Sequence, residues 1–166
     1  MYLAILWHFH QPVYRRPHSR DYVLPWVNYH ATKNYYQMAR LAEETGFAGS
    51  FNFVPCLIEQ IGDYAKGIAN DPFQLALELP AESLGPCEIE RLRKLVPGET
   101  RASRLQQRAL ESFFSPVDEI KHDPQELLYR QKDIHQNLIP FWKRLWQKGK
   151  IELTVSPYYH PLLPMI

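Results

Sequence analysis

The sequence predicts a parallel α/β fold. Three short apolar segments, at residues 2–7, 48–54 and 150–155, have the length of strands. The segments between them carry apolar residues at helical spacing, and strands that alternate with helices pair in parallel through right-handed crossovers. With 45% hydrophobic and 22% charged residues in a chain of 166, the composition is that of a globular protein of about one domain.

The charge balance excludes several classes of partner. Lys plus Arg number 19 and Asp plus Glu number 18, so the chain lacks the basic excess that attracts nucleic acid or an anionic membrane. No apolar run approaches the ~20 residues of a membrane span. The first residues lack the basic start and cleavage site of a signal peptide. We therefore expect no nucleic-acid or membrane partner, and a cytoplasmic protein in which Cys56 and Cys87 are free thiols.

The first strand candidate is a continuous apolar run, as in strands buried on both faces of a parallel sheet. The polar sequence His8-Phe9-His10-Gln11-Pro12 follows it, and a loop continues to Pro25. Helical spacing extends from Trp26 to about Glu44, and Gly46 suits the residue after a helix end. After the second strand candidate, Pro55 begins another helix, because proline fits the first helical turn.

Residues 67–122 lack strand character and are broken by prolines, which predicts a helical insertion within a single domain of residues 1–166. Their arginines and glutamates predict a solvated helical face. Asp123, Pro124 and Glu126 form a helix start, with a cap, a first-turn proline and a capping-box glutamate. Pro140 predicts a kink or break in that helix, and Gly149 ends it before the third strand.

Polar side chains follow the first and third strands. His8, His10 and Gln11 come after one, and Tyr158, Tyr159 and His160 come after the other. In parallel α/β folds, ligands bind beyond the carboxyl ends of the strands, so the two clusters are expected to meet there. Glu152 lies between apolar residues of the third strand, where a carboxylate is costly unless it faces a polar cleft.

The pair His8 and His10 has two interpretations. Residues i and i+2 of a strand share a face, so both imidazoles could bind one metal ion, or they could hydrogen-bond a sugar hydroxyl. A bare HxH pattern does not decide between them. The sequence contains no HExxH, no phosphate-binding GxxxxGK[ST], no GxGxxG and no GxSxG motif.

The segment His8-Phe9-His10-Gln11-Pro12 resembles the HxHQP signature of glycoside hydrolase family 57. Residues 149–154, running into 156–161, are similar to the second signature of that family, and the two occur in the expected order. Residues 22–26 and 51–55 also resemble the amylase and amylopullulanase-type members.

This resemblance implies an incomplete (β/α)7 barrel with a helical domain behind it. It implies hydrolysis, transglycosylation or branching of α-glucans with retention of configuration and without a cofactor. Retention needs two carboxyl groups about 5–5.5 Å apart. In the family these are a Glu on the strand after the second signature and an Asp further on. The chain is thus expected to be the N-terminal, substrate-binding portion of the barrel, partnered by the rest of that barrel and inactive alone.

By the matched positions, His10 and Glu152 would bind substrate near the bond that breaks. Weaker candidates for the same cleft are His8, Gln11, Trp26, Tyr159 and His160. No catalytic residue and no metal ligand is assigned under this hypothesis. Two alternatives remain open: a metal-dependent barrel hydrolase that uses His8 and His10 as ligands, and a non-catalytic carbohydrate-binding module.

Overall fold

The computed structural model describes residues 3–114 and 124–160. The strands are β1 (Leu6–Phe9), β2 (Ser50–Phe53) and β3 (Glu152–Val155), which form one parallel sheet in the order β1-β2-β3. The predicted α/β class and the parallel pairing of the three strands are therefore confirmed. Three strands alone do not close a barrel.

The helices lie between these strands in the predicted order. After β1 come α1 (Trp26–His30), a π-helical turn (Ala31–Tyr35) and α2 (Tyr36–Thr45), which together fill the predicted helical segment. Gly46 follows in the left-handed conformation, with φ of 66°, where glycine carries no Cβ penalty. After β2 come α3 (Pro55–Ala65), α4 (Pro72–Glu78), a 3-10 turn (Ala81–Ser83), α5 (Pro86–Leu95), α6 (Ala102–Ser112) and α7 (Pro124–Gln147).

The first strand differs from its predicted bounds of 2–7, because His8 and Phe9 belong to it rather than to the following loop. Phe9, at the end of the strand, is buried, whereas Leu6, at its start, is 62% exposed. The expectation of a strand buried on both faces is therefore wrong for β1. Helices cover only one face of β1. The continuous apolar run did not indicate this difference between the two faces.

Aromatic side chains build the core on the covered face of the sheet. The Trp142 ring of α7 lies 5.4 Å from Phe9, 4.7 Å from Phe51 and 5.3 Å from Phe53, measured between ring centroids. Phe51 and Phe53 are two residues apart on β2, so they share a face. Other buried side chains of α1, α2, α3 and α7 complete this core, among them Val27, Ala39, Leu57, Ile61 and Leu138.

A second core joins α4, α5, α6 and the first half of α7, within the region predicted as the 67–122 insertion. Leu77, Leu92, Leu105 and Leu127 are buried there. Gln106 of α6 donates its side-chain amide to the carbonyls of residues 76, 77 and 79, and so satisfies the C-terminal carbonyls of α4. The limits of the insertion stay a prediction, since residues 115–123, with the predicted cap Asp123, lie outside the described residues.

Helix α7 connects the two cores. Its first half contributes Leu127 and Ile134 to the helical core, and its second half contributes Leu138 and Trp142 to the core beneath the sheet. The helix continues through Pro140, so the predicted break is absent. Pro140 is exposed on the outer side of the helix.

A buried carboxylate fixes the loop that follows β1. The Asp63 side chain on α3 is 4% exposed and accepts hydrogen bonds from Arg15 Nη1 (2.8 Å), Arg20 Nη1 (2.6 Å) and the Tyr22 hydroxyl (3.0 Å). Arg15 also contacts Glu59, whose side chain is 42% exposed. The loop is thereby pinned to α3 at several points.

We predict that Asp63→Asn lowers the free energy of unfolding by about 2 kcal/mol, because it removes the charged acceptor shared by the buried Tyr22 hydroxyl and the partly buried Arg15. Glu59→Gln is the matched control, since it removes an exposed carboxylate from the same arginine and is expected to cost less than about 1 kcal/mol. Urea denaturation measures both changes. Equal losses would contradict a dominant role for the buried carboxylate.

A buried polar cluster lies between α1 and α7. Asn28 Oδ1 accepts from Gln131 Nε2 (2.9 Å) and from His135 Nε2 (2.7 Å), and Asn28 Nδ2 donates to Gln74 (2.8 Å). His135 is buried, and this burial lowers its pKa to about 3. The folded protein therefore keeps His135 neutral at pH values where the unfolded chain protonates it.

We predict that His135 makes the protein sensitive to acid. Its contribution to stability is complete above the unfolded pKa of 6.5 and is lost progressively as the pH falls toward 3, because only the unfolded state binds the proton there. The loss attributable to His135 should reach about 2 kcal/mol at pH 5. Urea denaturation at pH 7 and pH 5 checks this, and His135→Gln should remove that part of the pH dependence. An unchanged pH dependence in this variant would exclude His135 as its source.

Candidate active site

Polar side chains line the face of the sheet opposite the aromatic core. His8, Asn52 and Thr154 lie side by side on the three strands, in register. His8 Nδ1 donates to Asn52 Oδ1 at 2.8 Å, and Asn52 Nδ2 donates to Thr154 Oγ1 at 3.0 Å. The first bond places the His8 proton on Nδ1 and leaves Nε2 as an acceptor. A hydrogen-bonded row thus crosses the sheet.

Glu152 belongs to the same face, in the preceding row. It pairs in register with Ser50, whose hydroxyl donates to Glu152 Oε2 at 2.6 Å. Glu152 is exposed and is the first residue of β3, at the amino end of the sheet. It is the only carboxylate among the described strand residues of this face.

Three imidazoles meet at the carboxyl end of the sheet. The ring of His8 lies 4.4 Å from that of His160 and 5.9 Å from that of His10, and His10 lies 5.2 Å from His160, between centroids. The predicted meeting of the two polar clusters is therefore confirmed for these three residues. Segments about 150 positions apart in the chain form one cluster.

The histidine cluster has an electrostatic consequence for His10. Burial lowers the pKa of His10, and the neighbouring His160 and His8 lower it further because their positive charges would repel its own. His160 adopts a left-handed backbone conformation with φ of 52°, which is uncommon for a residue with a Cβ. Its amide donates to the Pro157 carbonyl at 2.8 Å, which closes the turn that brings its ring over His8.

Gln11 is engaged by protein groups on both sides of its amide. Its Nε2 donates to the Tyr35 hydroxyl at 3.3 Å, and its Oε1 accepts from the Tyr14 hydroxyl at 3.1 Å. Burial raises the pKa of Tyr35 to about 12, so this hydroxyl remains protonated. Gln11 therefore orders the loop beside His10, and its direct contact with substrate stays a prediction.

The first turns of α3 hold both loops of the site. The Cys56 amide donates to the Tyr158 carbonyl at 3.2 Å, and Cys56 Sγ lies 3.8 Å from the Gln11 carbonyl oxygen. One turn later, the Gln60 side chain accepts from the Tyr14 amide at 2.8 Å and donates to the Pro12 carbonyl at 3.0 Å. Gln60 is buried and connects the loop to the helix through its side chain.

The two aromatic candidates lie differently. The Trp26 ring packs against Tyr29, 5.8 Å away, at the start of α1. Tyr159 is 69% exposed and contacts Tyr158 edge to face at 4.6 Å, next to His160 in the chain. Tyr159 thus stays near the histidine cluster and is accessible, whereas Trp26 takes part in helix packing.

Sequence reasoning missed the polar side chains that hydrogen-bond His8 or Glu152 on this face. Asn52, Thr154 and Ser156 belong to the row of His8, and Ser50 contacts Glu152 in the preceding row. A signal for them existed. In the segments SFNF and ELTV the polar residues alternate with apolar ones, and period-two alternation marks a strand with one polar face. The strand prediction includes these positions but does not predict that they share a polar face.

In the described part of the chain, no group of three or more His, Cys, Asp or Glu residues is arranged to hold a metal ion. Cys56 and Cys87 are both free, as predicted. Within the same residues, no helix combines the length and apolarity that crossing a bilayer requires.

Comparison with known proteins identifies the family. The model of glycosyl hydrolase family 57 matches residues 4–166, nearly the whole chain. The chain therefore belongs to glycosyl hydrolase family 57, and the resemblance noted for its two signatures is confirmed at that level. Searches of curated proteins and of solved structures gave no match.

We predict that His160→Gln raises the pKa of His10 toward its ordinary value, because it removes a neighbouring charge and opens the cluster to water. Titration of the imidazole signals by NMR measures this shift. His18→Gln is a suitable control, since His18 is exposed in the loop after β1 and should leave the pKa of His10 unchanged. An unchanged His10 titration in His160→Gln would contradict the coupling.

Proposed function

We propose that the chain supplies the substrate-binding face of a retaining glycoside hydrolase or glucanotransferase that acts on α-glucans. Family membership supports glycoside chemistry and a carbohydrate substrate. The preference for α-glucans follows from the resemblance of the signatures to amylase and amylopullulanase-type members. The polar sheet face and its histidine cluster form the proposed binding surface.

The meeting of the two signature segments carries this proposal. His8 and His160 come from opposite ends of the described chain, yet their rings are 4.4 Å apart at the carboxyl end of the sheet. In parallel α/β folds this end is where ligands bind. This proximity supports a common binding location for the two signature segments.

The side chains of this polar face suit the hydroxyl groups of a sugar. His8 Nε2 is an acceptor, because the His8 proton is held by Asn52, and the Glu152 carboxylate accepts from hydroxyl donors. The lowered pKa of His10 keeps its imidazole neutral near pH 7, so it can accept at one nitrogen and donate from the other. In our proposal His10 and Glu152 bind substrate, supported by His8 and His160, with Tyr159 as a stacking surface.

We infer that the reacting carboxyl groups come from outside the described residues. Retention needs a nucleophile and an acid/base about 5–5.5 Å apart, and Glu152 is the single carboxylate on the described polar face. The strand edges support an extension of the sheet, since Leu6 is 62% and Val155 73% exposed. Further strands of the barrel would cover these residues and would bring the two carboxyl groups.

A metal-dependent hydrolase is not favoured, because the histidine cluster lacks ligand geometry for a metal in the described residues. A non-catalytic carbohydrate-binding role would use the same polar face. It differs from our proposal only in the chemistry that follows binding, so substrate binding is tested first.

We predict that this chain binds maltotriose and that Glu152→Gln weakens the binding by about tenfold or more. The loss of a charged hydrogen-bond acceptor to a sugar hydroxyl is worth roughly 1.4 kcal/mol or more. Isothermal titration calorimetry measures the affinity, and circular dichroism confirms that the variant is folded.

Glu59→Gln is the matched control, because it neutralises an exposed carboxylate on α3 that does not belong to the sheet face. It should bind maltotriose as the wild type does. Equal binding by wild type and Glu152→Gln would remove Glu152 from the site. Equal affinity for cellotriose would contradict the preference for α-glucans.

A further inference from the structure

A cavity lies on the helical side of the protein. It has a volume of about 780 Å³ and is bounded by the end of α3, by α4 and by the first half of α7. This volume is in the range of small-molecule sites. None of its lining residues belongs to the polar sheet face or to the histidine cluster.

Two buried hydrogen-bond acceptors belong to residues that line the cavity. Gln131 Oε1 and His135 Nδ1 have no hydrogen-bond partner in the described part of the chain, and both side chains are more than nine-tenths buried. An unsatisfied buried polar atom costs about 1–3 kcal/mol. Two on neighbouring turns of one helix point to a ligand that brings donors.

The protonation state of His135 is fixed by its other nitrogen. Nε2 lies 2.7 Å from Asn28 Oδ1, which is an acceptor, so Nε2 carries the proton and Nδ1 holds a lone pair. Asn28 Oδ1 also receives the Gln131 amide at 2.9 Å, which fixes Gln131 Oε1 as the unpaired end. The site therefore offers two acceptors and requires two donors.

The surroundings of the cavity favour an uncharged ligand. Lys66 and Lys132 lie on its wall together with Glu78, so neither sign of charge prevails. The Asp71 carboxylate already accepts from the Tyr64 hydroxyl at 2.9 Å and from the Phe73 amide at 2.9 Å. The Tyr64 ring stacks on His135 at 5.1 Å and adds an aromatic surface to the wall.

We propose that this cavity is a second carbohydrate-binding site, separate from the polar sheet face. A sugar is uncharged, carries adjacent hydroxyl donors for Gln131 Oε1 and His135 Nδ1, and has apolar C–H faces that pack on tyrosine rings. Only the choice of an α-glucan as the ligand rests on the proposed function. The donor requirement rests on Gln131 and His135 themselves.

An NMR titration of the 166-residue chain with maltotriose tests the proposal. Side-chain signals of Gln131 and the Nδ1 signal of His135 should shift in a saturable way, with Nδ1 moving in the direction of a hydrogen-bonded nitrogen. Gln136→Trp places a large ring at an exposed cavity residue and should abolish these shifts. Asn137→Trp is the matched control, because it adds the same ring to the adjacent exposed position outside the cavity.

The outcomes separate the two sites. A His135 response that persists in Glu152→Gln, while the His10 response is lost, supports the second site and the proposed function together. A shift of the His135 signal without any shift of the His10 signal supports the cavity site alone and contradicts binding at the polar sheet face. Absence of a saturable shift at His135 and Gln131, or an undiminished shift in Gln136→Trp, would overturn the second site and leave only enclosed solvent to satisfy the two acceptors.

Discussion

The packing of Trp142 against Phe9, Phe51 and Phe53 is the interaction on which the rest of the structure depends. Because side chains of a strand alternate between its two faces, burial of these phenylalanines directs His8 and Asn52 to the other face. The aromatic core and the polar face are therefore two consequences of one register. A shift of one residue would exchange the faces and dissolve both.

Helix α3 supports the two loops that follow β1 and β3. Its N-terminal turn holds the Tyr158 carbonyl, its second turn holds the loop after β1 through Gln60, and its third turn buries Asp63 beneath Arg15 and Arg20. The loops that carry the two family signatures thus share one rigid support. Such supporting contacts hold the positions of the two loops to within small displacements.

The helical region has a hydrophobic core of its own. Its leucine core is joined to the sheet domain by α7, and the polar cluster of Asn28, Gln131 and His135 lies where the two cores meet. A buried neutral histidine with one unpaired nitrogen is costly for stability. Because this histidine lines the cavity, the stability of the region is linked to the ligand binding proposed there.

The sequence by itself determined the parallel pairing, the family and the boundaries of the helices next to the strands, because apolar periodicity, proline and glycine positions and the two signatures are local features. It also located His8, His10 and His160 at strand ends. Only the tertiary structure decided that β1 has an open face, that Gln11 is held by Tyr14 and Tyr35, and that α7 continues through Pro140. It alone revealed the row from His8 through Asn52 to Thr154 and the cavity beside His135. These features arise from contacts between residues distant in the chain, which local patterns do not encode.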